Sequence, residues 1–101
     1  MPIFQSANFE ATSTENYKDI VYARLNNTPN HVALHAKLAA IEGSEAALVT
    51  GSGMAAITST LFALLSAGDH LLVQKTVYGG TYSLLHEDLR RFVPSSQIGY
   101  G

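Results

Sequence analysis

A short apolar run that stops on paired glycines and restarts as a helix constrains this chain more than any other stretch. Ala46-Ala47-Leu48-Val49-Thr50 reads as a buried strand and Gly51-Ser52-Gly53 as a tight turn. Residues 54–66 carry a helical pattern that Ala67-Gly68-Asp69 ends, and His70-Leu71-Leu72-Val73-Gln74 is a second short strand. Strand, helix and strand at this spacing imply a right-handed βαβ unit on a parallel sheet, which places the chain in the α/β class.

The flanks extend that reading. Residues 1–29 are polar, turn-rich and without periodicity, so they read as an extended arm. Asn30 is placed to cap a helix over residues 31–42, whose apolar positions are Val32, Leu34, His35, Leu38, Ala39 and Ile41, and Gly43 is placed to end it. Residues 81–92 repeat helical spacing through Tyr82, Leu85, Leu89 and Phe92, and Tyr82, Leu85 and Leu89 read as core. The sequence then shifts abruptly to Val-Pro-Ser-Ser-Gln-Ile-Gly-Tyr-Gly, residues 93–101, which does not read as a further strand of the same sheet.

Composition removes whole classes of function. With 101 residues the chain is one domain or less, and 47% apolar with 14% charged residues fits a buried-rich globular segment rather than disorder. A net charge of −2 and the lack of any basic stripe give nucleic acid and anionic membranes no surface to hold. No apolar run approaches the ~18 residues a membrane span needs, and residues 1–10 lack the basic start of a signal peptide, so a cytoplasmic protein is expected. There is no cysteine, which excludes disulfides, thiolate metal sites and a cysteine nucleophile. His31 and His35 stand four apart, but no carboxylate on their face completes a metal site, and His70 and His86 have no metal spacing either.

The glycine turn admits three chemistries. A strand-to-helix junction exposes unpaired backbone N–H groups and the positive end of a helix dipole, so it suits an anion. The simplest reading is a connection with Ser52 as helix cap. Gly51-x-Gly53-x-x-Ala56 also matches a relaxed dinucleotide fingerprint, which requires an acidic residue at the end of the next strand. Gln74 and Lys75 stand there, and Asp69 lies at the strand's other end, so this reading is disfavoured. A Walker A loop is excluded, because no Gly-Lys-Ser/Thr occurs. The third reading is a cup for the phosphate of a cofactor.

That third reading carries a family resemblance. Val49-Thr50-Gly51-Ser52-Gly53-Met54-Ala55-Ala56-Ile57 resembles the phosphate-binding turn of the transsulfuration enzymes that use pyridoxal 5′-phosphate (PLP), the cystathionine γ-synthase, methionine γ-lyase and O-acetylhomoserine sulfhydrylase group. Pro2-Ile3-Phe4-Gln5-Ser6 resembles the start of that family's arm. Tyr22-Ala23-Arg24, followed by Leu25-Asn26-Asn27-Thr28-Pro29-Asn30, is similar to its Tyr-x-Arg and Asn-Pro-Thr segment. Ala67-Gly68-Asp69-His70 and Tyr78-Gly79-Gly80-Thr81-Tyr82 are similar to its Pro-Gly-Asp-His and Tyr-Gly-Gly-Thr blocks. The blocks occur in family order and span residues 2 to about 92.

The resemblance implies an N-terminal slice of the aspartate-aminotransferase-like (fold type I) large domain, an extended arm followed by α-β-α-β-α. Its division would be residues 1–29 as an inter-subunit arm, 30–92 as the start of the PLP-binding domain and 93–101 as an atypical tail. Gly53 and Met54 would offer backbone N–H groups to the PLP phosphate, with Ser52 lining the turn. Tyr78 would lay its ring on the pyridine face, and Tyr22 and Arg24 would reach the phosphate of a neighbouring subunit's cofactor, so a homo-oligomer, dimer or tetramer, is expected. Taken singly, Tyr22 and Arg24 also read as ordinary loop residues, and Tyr78 as a helix-entry residue.

PLP chemistry also needs a Schiff-base lysine, which this family carries in a Ser-x-Thr-Lys context. Lys18, Lys37 and Lys75 are the chain's lysines, and none has that context. Arg90 and Arg91 read as surface, and the family's substrate-carboxylate arginine lies further on. The expectation is therefore a piece of a carbon–sulfur lyase or transferase of sulfur amino acids or homoserine esters, truncated before the lysine and without turnover alone. The alternative is a non-catalytic chain that binds phosphate or PLP, or pairs with a longer subunit.

Overall fold

A computed structural model describes residues 2–11, 13, 15–92 and 97–100. The chain forms two compact units, Met1–Val49 and Thr50–Gly101.

In the first unit, short 3-10 turns at Tyr17–Asp19 and Ala23–Leu25 precede helix α1, Pro29–Glu42. The helix starts before the expected position. Thr28, not Asn30, is its cap residue, and Pro29 fills the first helical position, where its missing N–H has no role. Asn30 instead binds the arm. Its amide accepts from the Phe4 N–H at 3.0 Å and donates to the Phe4 carbonyl at 2.7 Å. One side chain thus holds the arm through both backbone groups of Phe4. Gly43 ends α1 as expected, at φ 62°, the left-handed region where a side chain is strained. Ser44 N–H then bonds back to the Ala39 carbonyl at 2.9 Å, closing the C-terminal turn.

Of the apolar residues on α1, only Ala39 is buried, while Val32, Leu34, Leu38 and Ile41 remain exposed. Apolar side chains thus stand exposed on more than one side of α1.

The second unit contains α2 (Gly53–Leu64), β1 (His70–Val73), α3 (Gly79–Ser83), a π-helical turn (Leu84–Asp88), α4 (Leu89–Phe92) and β2 (Gln97–Tyr100). Its core is the pair Leu85 and Leu89, one helical turn apart, packed against Leu61, Leu65, Leu71 and Val73. Full burial of each leucine is worth about 1.5–3 kcal/mol. Tyr82 departs from its expected core role: it is half exposed, with its ring 4.1 Å from that of His86.

The strands differ from expectation twice. Residues 46–50 have no regular secondary structure and pair with no strand among the described residues, and Leu48 is exposed. A strand is defined by its ladder, and no ladder partner reaches this one. Residues 97–100, which do not read as a strand, form β2 and run parallel to β1, with His70 opposite Gln97 and Val73 opposite Tyr100. The β-helix-β unit is therefore built from β1, the helix over 79–92 and β2, rather than from 46–50 and 70–74. The element order is helix, helix, strand, helix, strand in place of the expected alternation. Residues 93–96 lie outside the described residues.

Candidate functional site

Ser52 supplies the geometry of the glycine turn. It sits extended at φ −161°, ψ 160°, and its Oγ accepts the Ala55 N–H at 3.0 Å while its carbonyl accepts the Ala56 N–H at 3.1 Å. Both are marks of a helix cap, as its residue type predicts. Thr50 Oγ1 donates to the same carbonyl at 2.8 Å, which ties down the entry to the turn.

The N–H groups of Gly53 and Met54 belong to the first turn of α2 and have no carbonyl behind them. No acidic residue occupies this first turn, and nothing lies within 4 Å of where a Cβ would stand on Gly51 or Gly53. The Ser52 hydroxyl, already accepting from Ala55, keeps its own proton to donate. The junction thus presents backbone donors, a hydroxyl donor and a helix dipole to open space.

Tyr78 stands at the entry of α3, where its carbonyl accepts the Tyr82 N–H at 3.0 Å. Its side chain is 73% exposed, so a ring face is available for stacking. Met54 joins the two helix starts: its Sδ accepts from Thr81 Oγ1 at 3.8 Å. A Cβ built on Gly80 would lie 2.6 Å from Tyr78 Cε1 and 3.3 Å from Met54 Sδ, so the tyrosine ring and the thioether converge on one point. Ser52, Gly53, Met54 and Tyr78 therefore gather in the second unit.

Tyr22 and Arg24 lie in the first unit and pair with each other, the guanidinium carbon 4.6 Å from the centre of the Tyr22 ring. Two asparagines shape their loop. Asn27 accepts from the Tyr22 N–H at 2.8 Å and donates to the Ile20 carbonyl at 2.7 Å. Asn26, in the left-handed region at φ 57°, donates to the Val49 carbonyl at 2.7 Å. Asn26, Asn27 and Gly80 lie inside the resembling blocks, where the sequence gives them no role of their own. A signal is present in the side-by-side amides after Tyr-x-Arg, since asparagine tolerates left-handed turns and bonds nearby backbone.

The remaining polar residues fall outside this arrangement. Asp69 Oδ2 accepts the Ser66 N–H at 2.7 Å within its own turn, before β1. Lys75 is exposed on the loop after β1, and Arg90 and Arg91 are exposed on α4. Thr28 Oγ1 and His31 Nδ1 are 2.7 Å apart, and no group of His, Asp and Glu that could hold a metal ion occurs among the described residues. No helix among them is long and apolar enough to cross a membrane.

Tyr78 thus presents an exposed ring at a helix start that Met54 joins to the start of α2. Comparison with known proteins identifies the family. The family model described as Cys/Met metabolism PLP-dependent enzyme matches residues 1–98. An L-methionine gamma-lyase of Fusobacterium nucleatum subsp. polymorphum is 43% identical over 100 residues, covering 91% of this chain and 25% of its own length. Cystathionine beta-lyase MetC of Bacillus subtilis is 45% identical over 92 residues, covering 91% of this chain and 23% of its own length. The crystal structure of cystathionine gamma-lyase from Lactobacillus plantarum, complexed with L-serine, superposes with a TM-score of 0.79 at 35% identity, over 99% of this chain and 25% of that one. The chain thus spans about a quarter of the length of the relatives it matches (25% and 23% for the two lyases).

Proposed function

The chain belongs to the Cys/Met metabolism PLP-dependent enzymes, and from that footing we propose that it supplies the phosphate-and-ring half of the PLP site of a carbon–sulfur lyase or transferase. The substrates would be sulfur amino acids or homoserine esters. One observation carries the reading: the Ser52-capped start of α2, with its open N–H groups, is joined through Met54 to the helix start that bears Tyr78.

Each residue then has a defined role. The Gly53 and Met54 N–H groups hold the phosphate dianion, and the α2 dipole favours its charge. Ser52 adds a hydroxyl donor while keeping the helix capped. Tyr78 lies against the pyridine face and fixes its tilt. Arg24, steadied over Tyr22, meets a phosphate on a neighbouring subunit, where its planar fork matches the oxygens as a lysine would not. PLP, when bound, supplies the electron sink for cleavage at the substrate's carbons. The lysine that anchors it has no counterpart in Lys18, Lys37 or Lys75, so residues 1–101 alone give no turnover.

The test compares the longest natural chain that carries these residues with a version cut to residues 1–101, each supplied with PLP. Ammonia or sulfide release from methionine, cystathionine or cysteine is expected from the long chain only. Turnover by residues 1–101 would overturn the half-site assignment, and failure of the long chain to bind PLP would overturn the cofactor assignment.

A further inference from the structure

Gly79 and Gly80 both open α3, and neither has a positive φ, so the backbone does not require glycine at either place. Glycine loses more conformational freedom on folding than any other residue, so the reason for it lies in its surroundings. At Gly79 an added Cβ would meet nothing within 4 Å beyond its own chain neighbours Tyr78 and Gly80. At Gly80 it would lie 2.6 Å from Tyr78 Cε1, 3.2 Å from Tyr78 Cδ1 and 3.3 Å from Met54 Sδ. The first distance is too short for any real Cβ. The atoms in the way are the edge of a mobile ring and the end of a flexible thioether, not backbone. A side chain at this position would move the ring and leave the helix standing.

We propose that Gly80 is a positioning residue: its missing side chain is the space in which the Tyr78 ring settles beside Met54, and this sets the ring's tilt toward the bound cofactor. The proposal rests on the PLP reading above. It adds that the tilt is set from behind the ring by a gap, with Thr81 holding the Met54 sulfur that forms the gap's other wall. Gly80 acts only through Tyr78 and touches no ligand itself.

The adjacent glycines make a matched pair. In the PLP-loaded longest natural chain, Gly79→Ala is expected to leave PLP affinity and the visible circular dichroism of the bound cofactor unchanged. Gly80→Ala is expected to weaken PLP binding roughly tenfold, the equivalent of about 1.4 kcal/mol, and to change the dichroism. Both PLP-free variants are expected to melt with the parent. A double-mutant cycle checks the route: in a Tyr78→Ala background, Gly80→Ala is expected to have no further effect on PLP affinity.

If Gly80→Ala matches Gly79→Ala, or still weakens binding when Tyr78 is gone, Gly80 does not act through the ring and the proposal falls. A Gly80→Ala chain that melts early without PLP would show a structural role instead and would also overturn it. If the parent binds no PLP, or Tyr78→Ala binds it as well as the parent, the cofactor reading fails first, and the two failures are told apart.

Discussion

Ser52 joins two roles that a single substitution can separate. Its Oγ caps α2 through the Ala55 N–H, and its position fronts the proposed phosphate site. Aspartate caps a helix about as well as serine, so Ser52→Asp keeps the fold, whereas Ser52→Ala loses about 1 kcal/mol of stability. The aspartate also sets a negative charge where a phosphate dianion should sit. At a separation of about 4 Å each pair of unit charges repels by about 1 kcal/mol in water and about 4 kcal/mol near a protein surface. Ser52 is exposed, so the lower figure applies, and two phosphate charges give about 2 kcal/mol, or roughly thirtyfold in affinity. The assay is PLP reconstitution of the cofactor-free longest natural chain, with pyridoxal, which lacks the phosphate, in parallel. Ser52→Asp should melt with the parent, bind PLP roughly thirtyfold more weakly and bind pyridoxal unchanged. The PLP deficit should shrink as salt is added. Equal PLP affinity in parent and variant would refute the phosphate assignment, and an equal loss for pyridoxal would show that the charge acts on something other than the phosphate.

Asn27→Ala removes both bonds that hold the Tyr22 loop, each worth about 0.5–1.5 kcal/mol, so the Tyr22 and Arg24 pair should loosen. Exchange of the Tyr22 amide hydrogen should speed up while that of α2 stays unchanged, and unchanged exchange at Tyr22 would contradict the clamp. Leu89→Ala opens the centre of the second unit's core and should cost about 2–5 kcal/mol in a denaturant melt. Lys75→Ala should leave PLP affinity and turnover as they are, and loss of either would give Lys75 a role its exposed loop does not predict.

What the sequence disclosed divides along the line between local and distant causes. The helices were legible because their signals are local: Gly43 ends α1 with a positive φ, Ser52 caps α2, and Leu85 and Leu89 repeat one turn apart. The start of α1 differs from the sequence reading because Asn30 and Thr28 are both good cap types, and Pro29 at the first helical position selects Thr28. The strands were the weak point, since neither the unpaired 46–50 segment nor β2 can be read without knowing what lies alongside. Gln97-Ile98-Gly99-Tyr100 offers only two strand-forming residues around a glycine, and its pairing with β1 supplied the rest. For the candidate site, the sequence blocks pointed to Ser52, Gly53, Met54, Tyr78, Tyr22 and Arg24. Gly80 and Asn27 lie inside those blocks, but the space beside the one and the two backbone partners of the other are visible only in three dimensions.

The most direct measurement is an experimental structure of the longest natural chain with PLP bound. The phosphate oxygens should lie about 2.7–3.2 Å from the Gly53 and Met54 backbone nitrogens, with the Tyr78 ring stacked on the pyridine. A phosphate held elsewhere, with the start of α2 facing only solvent, would contradict the assignment of this turn as the cofactor's cradle.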